Sequence, residues 1–255
     1  MSAPSISVVI PVKNDADHLR RCLASLVPQL DEADELVIVD NGSSDDSGAV
    51  ARAAGAVVVF VLGGGIPAAS SAGYDAATKT LIARLDADCV PSNDWLETIR
   101  TEFSERPETV AITGFAHFTD GPSLLRLPLS LAYLGAYYLS LFPALAHVPL
   151  FGSNCSFRRD AWVAVRDEVH RGDERVHDDM DLSFHLRSDH AIRFSRRLSM
   201  GVSMRPLFNP FAFAVRFGRG VHTVRIHWPE HVPWVRWISK HFPARTKSPH
   251  TTAQP

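Results

Sequence analysis

Cysteine is scarce in this chain. Cys22, Cys89 and Cys155 are the three it has in 255 residues, widely separated and odd in number. That pattern excludes a disulfide framework and a multi-cysteine zinc knuckle, and it reads as reduced thiols in a cytoplasm-like compartment. A surplus of one charge is missing too: 26 basic against 28 acidic residues leave a formal net charge of −2. Without a basic excess or stripe, no nucleic-acid partner is expected. The N-terminus, MSAPSISVVIPV, has neither a basic n-region nor a cleavage site, so no signal peptide is expected. Apolar residues are plentiful, at 45% against 21% charged. A globular chain of this length can bury one substantial core.

Over residues 1–120 two hydrophobic periods alternate. Ile6–Pro11, Glu35–Asp40, Ala56–Val61 and Leu81–Asp86 are near-continuous apolar runs, the pattern of strands covered on both faces. Between them Asp17–Val27, Asp45–Ala54 and Asn93–Glu105 have helical spacing, with Asn93 placed as an N-cap. Alternating strand and helix predicts an α/β fold, a three-layer αβα sandwich around a mostly parallel central sheet. Residues 124–151 are strongly apolar and long enough to span a membrane, but Pro128, Gly135, Pro143, Pro149 and His147 interrupt them. They read as a buried helix pair or as a surface that meets something greasy. Asp178–Arg187 reads as a short helix. Trp228, Trp234 and Trp237 then mark a Trp-rich segment of the kind that suits a membrane interface. The expected organisation is one domain over 1–240, with halves dividing near 120, and a disordered tail at 241–255.

In open α/β sheets ligands bind beyond the carboxyl ends of the strands. Pro11, Val12 and Asn14 follow the first predicted strand, Asp40 and Asn41 close the second, and Asp86 and Asp88 close the fourth. Each acid also has an ordinary reading, because Asp caps helices and favours turns. Two carboxylates two residues apart in an extended segment point to one side and repel, unless a hard divalent cation such as Mg²⁺ or Mn²⁺ lies between them. Asp178-Asp179-Met180-Asp181 is a third acidic cluster, open to reading as a charged first helical turn. His222, His227 and His231 are candidates to complete a metal site, or simply hydrogen-bonded histidines.

Five stretches, in order, resemble family 2 glycosyltransferases of the GT-A fold: Ser7–Asp15, Glu35–Ser47, Leu85–Glu97, Gly152–Trp162 and His177–Leu186. The resemblance implies inverting transfer of a sugar from a nucleotide-diphosphate donor to an acceptor hydroxyl. Pro11 and Asp40 resemble positions that hold the nucleoside. Asp86 and Asp88 resemble the metal and diphosphate motif, with Asp88 the direct ligand. Gly152, Ser153 and Asn154 match a segment near donor sugar and acceptor, with Asp178 beside it. Asp179 matches the general base. The family weighting points to a UDP-sugar donor. The resemblance implies a carbohydrate or a lipid-linked acceptor; a lipid-linked one implies membrane-surface contact from the cytoplasmic side through 124–151 and the Trp-rich segment. Where relatives often carry Ala-Arg-Asn-x-Gly, this chain has Ala69-Ser70-Ser71-Ala72-Gly73, and the Gln-x-x-Arg-Trp signature of processive synthases is absent. Two rival readings stand beside this one. A nucleotide-binding oxidoreductase lacks its G-x-G-x-x-G turn after the first strand. A sugar-nucleotide-binding protein without turnover fits the serines at Ser70 and Ser71.

Overall fold

A β-branched run with no polar face can sit only in a sheet covered on both sides. In the computed structural model, which describes residues 3–186, 191–208, 210–228 and 232–241, the four predicted runs build the parallel half of the sheet, but the Ala56–Val61 run, expected to be covered on both faces, is an edge strand with Val57 and Phe60 more than half exposed. The four strands are β1 (Ile6–Val12), β2 (Glu35–Asp40), β3 (Val57–Phe60) and β4 (Leu81–Arg84). The remaining strands are β5 (Val90–Pro91), β6 (Thr109–Phe118), β7 (Cys155–Arg158) and β8 (Ala191–Val202). All eight form one sheet in the order β3-β2-β1-β4-β7-β6-β8-β5. Pairs β1–β2, β2–β3, β1–β4 and β6–β8 are parallel, whereas β4–β7, β6–β7 and β5–β8 are antiparallel.

Side-chain alternation along β1 and β2 divides the core into two. Ile6, Val8, Ile10, Leu36 and Ile38 face one layer, which includes Leu19, Leu23 and Leu26 of α1 (Ala16–Leu26) and Trp95 and Ile99 of α4 (Trp95–Glu105). Val9, Val37 and Val39 face the other, with Ala69 and Tyr74 of α3 (Gly65–Ala76), Trp162 of α6 (Arg159–Val165) and Leu182 of α7 (Asp178–His185). Each large apolar side chain so buried contributes roughly 1.5–3 kcal/mol. The αβα sandwich follows directly. Helix α3 approaches the sheet so closely that a Cβ on Gly73 would overlap Val9 and Val39. Helix α2 (Ser47–Ala53) completes the first half, and α8 (Arg205–Phe208), α9 (Pro210–His227) and α10 (Pro233–His241) follow β8.

Three further expectations need correction. β4 ends at Arg84, so Asp86 and Asp88 are not in an extended segment; Cys89 N–H donates to the Asp86 carbonyl at 3.1 Å and closes a turn. The N-cap of α4 is Asp94 rather than Asn93. Residues 124–151 do not form a buried pair. They contain one 23-residue helix, α5 (Ser123–Leu145), which runs through Pro128 and Pro143 and ends at left-handed Ala146. Ser130, Leu134, Leu141 and Leu145 recur at helical spacing on its buried face, while Leu124 (88% exposed), Leu127, Leu131 and Leu139 (77%) form an outward apolar stripe. It is long and apolar enough to cross a membrane by length and composition. The predicted disordered tail at 241–255 lies, from 242 onward, outside the described residues.

Candidate active site

The strand order 3-2-1-4 reverses direction between β1 and β4, and ligands of open α/β sheets bind at the carboxyl ends beside such a reversal. A cavity of about 310 Å³ opens there. Pro11 and Val12 reach it from the end of β1, Asn41 from the end of β2, and Arg84, Asp86 and Asp88 from β4 and its turn. Asp178 and Asp179, at the first turn of α7, form the facing wall with Ser153. The two acidic clusters, distant in sequence, therefore open onto one space.

Arg84 joins them. Its Nη2 lies 2.9 Å from Asp86 Oδ1 and 3.3 Å from Asp178 Oδ2, with the arginine 3% exposed. Burial opposes its charge, but Asp178 and Asp86 outweigh that and keep the guanidinium cationic. A Cβ on Gly152 would overlap this guanidinium, so glycine is the residue that leaves it room. Ser153 Oγ donates to Asp86 Oδ2 at 2.5 Å. Asp88 Oδ2 pairs with Arg205 Nη2 at 2.8 Å, and the same nitrogen reaches Asp15 Oδ2 at 3.0 Å. Burial first, then repulsion from Asp86, pushes the Asp88 carboxyl above its ordinary value despite Arg205. Asp86, Asp88 and Cys89 offer ligand atoms all within 4.8 Å of one another. Burial raises the Cys89 thiol well above its ordinary value, which keeps it protonated and leaves the carboxylate oxygens as donors. Oxygen donors of this kind suit a hard divalent cation.

The neighbouring acids on α7 are pushed in opposite directions. Asp178 Oδ2 accepts from Ser70 Oγ at 2.7 Å, and burial raises its carboxyl more than Arg84 lowers it. Burial also acts against Asp179, but the hydrogen bond and charge of His177, with Arg84 and the Gly152 N–H, bring it down to about 2. Gly152 N donates to Asp179 Oδ2 at 2.8 Å, and His177 Nδ1 lies 3.5 Å from Oδ1. Ser70, at the arginine position of the Ala-Arg-Asn-x-Gly pattern, thus holds an acid of the cavity.

Of the other expected site residues, Asn41 reaches the cavity wall and Asn14, Asp40 and Asn154 do not. Asn14, at φ 52, accepts Ser44 N at 2.7 Å, and its own N–H donates to Ser43 Oγ at 3.0 Å, clamping two loops together. Asp40 Oδ1 accepts Ser43 N at 2.8 Å, an Asx-type turn. Asn41 Oδ1 and Arg84 Nε, both from residues of the cavity wall, are buried without a hydrogen-bond partner among the described residues. Asn154 is a correction. It is fully buried, with Oδ1 taken by Trp95 Nε1 at 2.8 Å and Nδ2 by the Phe115 and Leu198 carbonyls, so it holds the framework and does not face the cavity. His222 pairs with Asp173 at 2.8 Å, His227 lies beside Asp181, and His231 lies outside the described residues. Neither His222 nor His227 completes the Asp86–Asp88 group. Sequence reasoning missed Arg84, Arg216 and Arg219, all on the cavity wall. A charged residue inside the apolar strand LIAR was the available signal for the first.

Comparison with known proteins agrees with this geometry. The model of glycosyl transferase family 2 matches residues 7–165. The chain is 32% identical over 102 residues to glycosyltransferase AglE of Haloferax volcanii, covering 37% of this chain and 34% of that one. It is 42% identical over 99 residues to the undecaprenyl-phosphate 4-deoxy-4-formamido-L-arabinose transferase of Sodalis glossinidius, covering 34% and 30%. The matched stretch thus spans about a third of the length of these curated relatives. Among solved structures, glucosyl-3-phosphoglycerate synthase of Mycobacterium tuberculosis superposes with a TM-score of 0.62 at 21% identity over 88% of this chain and 80% of that one. The same enzyme with Mn²⁺, uridine diphosphate and glucosyl-3-phosphoglycerate superposes at 0.54 and 19% identity, over 85% and 80%. The fold is that of the GT-A enzymes. With the family model matching well over half of its length, and its acids gathered at the sheet's reversal point, the chain belongs to glycosyl transferase family 2.

Proposed function

We propose that this chain is a non-processive, inverting glycosyltransferase that moves a sugar from a nucleoside-diphosphate donor to an acceptor hydroxyl with the help of Mg²⁺ or Mn²⁺. One observation carries the reading: Asp86 and Asp88 share a cavity with Asp178 and Asp179, bridged by Arg84. The uridine diphosphate and Mn²⁺ bound to the similarly folded M. tuberculosis synthase support a UDP-sugar as the first donor to test. Asp88 and Asp86 would hold the cation, which supplies Lewis-acid stabilisation of the leaving diphosphate. Asp88 would have to be shared between the cation and its present partner, Arg205, 2.8 Å away. Arg216 and Arg219 add positive charge to the same wall, where it favours an anionic ligand. Pro11, Val12 and Asn41 are the donor-binding candidates on the wall. Asn14 and Asp40 act behind them by shaping the loops. One continuous sheet, with strands from Ile6 to Val202, supports reading the chain as a single catalytic unit.

Asp179 is the proposed base. A carboxylate held near 2 is fully ionised at neutral pH but intrinsically weak. It suffices because the acceptor hydroxyl becomes strongly acidic as its oxygen bonds to the anomeric carbon, so the proton passes late. His177, paired to the other carboxylate oxygen, fixes its orientation. With UDP-glucose and Mn²⁺ but no acceptor, the wild type is expected to release UDP slowly. Asp179→Asn is expected to bind UDP as before and lose about 10²–10⁴-fold in turnover. Equal turnover of variant and wild type would remove Asp179 from this role.

The outward stripe of α5 supports a lipid-linked acceptor at the cytoplasmic face of a membrane, as does the similarity to an undecaprenyl-phosphate transferase. Trp237 Nε1 bonds the Pro143 carbonyl at 2.9 Å, and Trp234 is exposed, so α10 adds aromatic surface beside the end of α5. Apolar and Trp-bearing helices of this kind lie in the membrane interface plane.

A further inference from the structure

Behind the acids of the cavity, four metal-ligating side chains from three parts of the chain meet. His170 comes from the segment before α7, Asp181 and His185 from one face of α7 at i, i+4 spacing, and His227 from the last turn of α9. None of the four lines the cavity described above. Their ligand atoms all lie within 4.8 Å of one another. Asp181 Oδ1 is 2.8 Å from His170 Nδ1, 3.1 Å from His227 Nε2 and 3.4 Å from His185 Nε2, and the last two nitrogens are 3.3 Å apart. Four ligands at about 2.0–2.1 Å around a tetrahedral Zn²⁺ are separated by roughly 3.3–3.4 Å.

The outer ring nitrogen of His227 has the partner expected of a zinc-bound histidine. His227 Nδ1 lies 2.7 Å from the Thr223 carbonyl, so it carries the hydrogen and turns Nε2 inward as a lone pair. His185 Nδ1 lies 3.6 Å from the Glu168 carboxylate, beyond hydrogen-bond distance. A carbonyl partner such as that of His227 orients a metal-bound histidine. Asp181 Oδ2 accepts the His170 backbone N–H at 2.8 Å, leaving Oδ1 directed into the cluster. The His227 Nε2 lone pair faces the anionic Asp181 oxygen at 3.1 Å unless a proton or a cation lies between them, and a cation at the centre of the four ligand atoms meets that requirement. Asp181, His185 and His227 are buried, and His170 is 39% exposed, which leaves a way in.

We infer that His170, Asp181, His185 and His227 form a structural Zn²⁺ site that ties the loop before α7 and the end of α9 to the helix carrying Asp178 and Asp179. The closed set of three nitrogens and one oxygen leaves no position for substrate, so the ion braces α7 and takes no part in transfer. This site does not rest on the glycosyltransferase reading.

The test uses the full chain, purified without a histidine tag from zinc-supplemented medium, with metal measured by inductively coupled plasma mass spectrometry. The expected content is about one zinc per chain. It should be unchanged in Asp88→Asn and reduced at least about ten-fold in His227→Gln and in the half-exposed His170→Ala. If the His227 variant fails to fold, Co²⁺ exchange into the wild type provides the second readout, with the intense visible bands of tetrahedral cobalt expected. Folded wild type with less than about 0.1 zinc per chain and no tetrahedral cobalt spectrum would overturn the site, as would zinc content equal in wild type and both folded variants.

Discussion

Replacing Arg84 by methionine tests the electrostatic centre of the cavity. The side chain keeps its length and loses its charge, leaving Asp86 and Asp178 facing each other across a buried space. At an effective dielectric of about 20, ion pairs at the observed 2.9 and 3.3 Å each represent roughly 5–6 kcal/mol of attraction. Burying the guanidinium offsets much of that, so the expected loss of stability is about 3–5 kcal/mol, the usual cost of removing one partner from a buried pair. The loss should depend on pH. Burial already raises Asp178, and without Arg84 its folded-state value rises further above the unfolded one. A group so raised is stabilising when protonated, so the deficit should be largest at neutral pH and above and should shrink as the pH falls through the raised folded-state value. The double variant Arg84→Met/Asp178→Asn should recover part of the loss at pH 7. Urea unfolding from pH 5 to 8 measures both effects. A loss below about 1 kcal/mol, flat with pH and unchanged by Asp178→Asn, would refute the reasoning.

Two further outcomes are expected. His147 donates from Nδ1 to the Val148 carbonyl, and burial, with the Arg236 charge, holds it down to about 4 from 6.5. The unfolded chain binds that proton first, so this histidine's contribution is present above pH 6.5 and is lost as the pH falls to about 4. It amounts to about 3 kcal/mol, and His147→Gln should flatten the slope of urea midpoint against pH in that window. An unaltered slope would contradict this. The chain should also co-sediment with anionic phospholipid vesicles. Leu124→Glu/Leu139→Glu, placed at the most exposed points of the stripe, should weaken that binding at least about ten-fold, whereas no sedimentation of the wild type would argue against membrane contact.

The parallel half of the fold was legible because β1, β2 and β4 are buried on both faces and read as unbroken apolar runs. The second half was not. β8 carries Arg193, Arg196 and Arg197 on an exposed face, and its register with β6 shifts twice, so no simple period survives. The acids of the cavity stood out because they follow strand ends or open a helix. Arg84 did not, because its role depends on meeting an acid from a helix far along the chain. Asn154 shows the opposite limit: a motif that resembles a binding segment also contains residues that only hold the strands beneath it. The histidine cluster offered a single local cue, the i, i+4 pair Asp181 and His185, because its other members come from distant segments.

The most direct measurement is thermal unfolding of the wild type and Asp88→Asn with UDP, GDP and dTDP, each with and without Mn²⁺. If the shared cavity takes a nucleoside diphosphate through a cation, one nucleotide at a hundred times its dissociation constant should stabilise the wild type by about 2.7 kcal/mol, or roughly 5–10 °C. That gain should need Mn²⁺ and be largely lost in Asp88→Asn. No shift with any of the three nucleotides, or the same shift in both proteins, would contradict a metal-assisted donor site at Asp86 and Asp88.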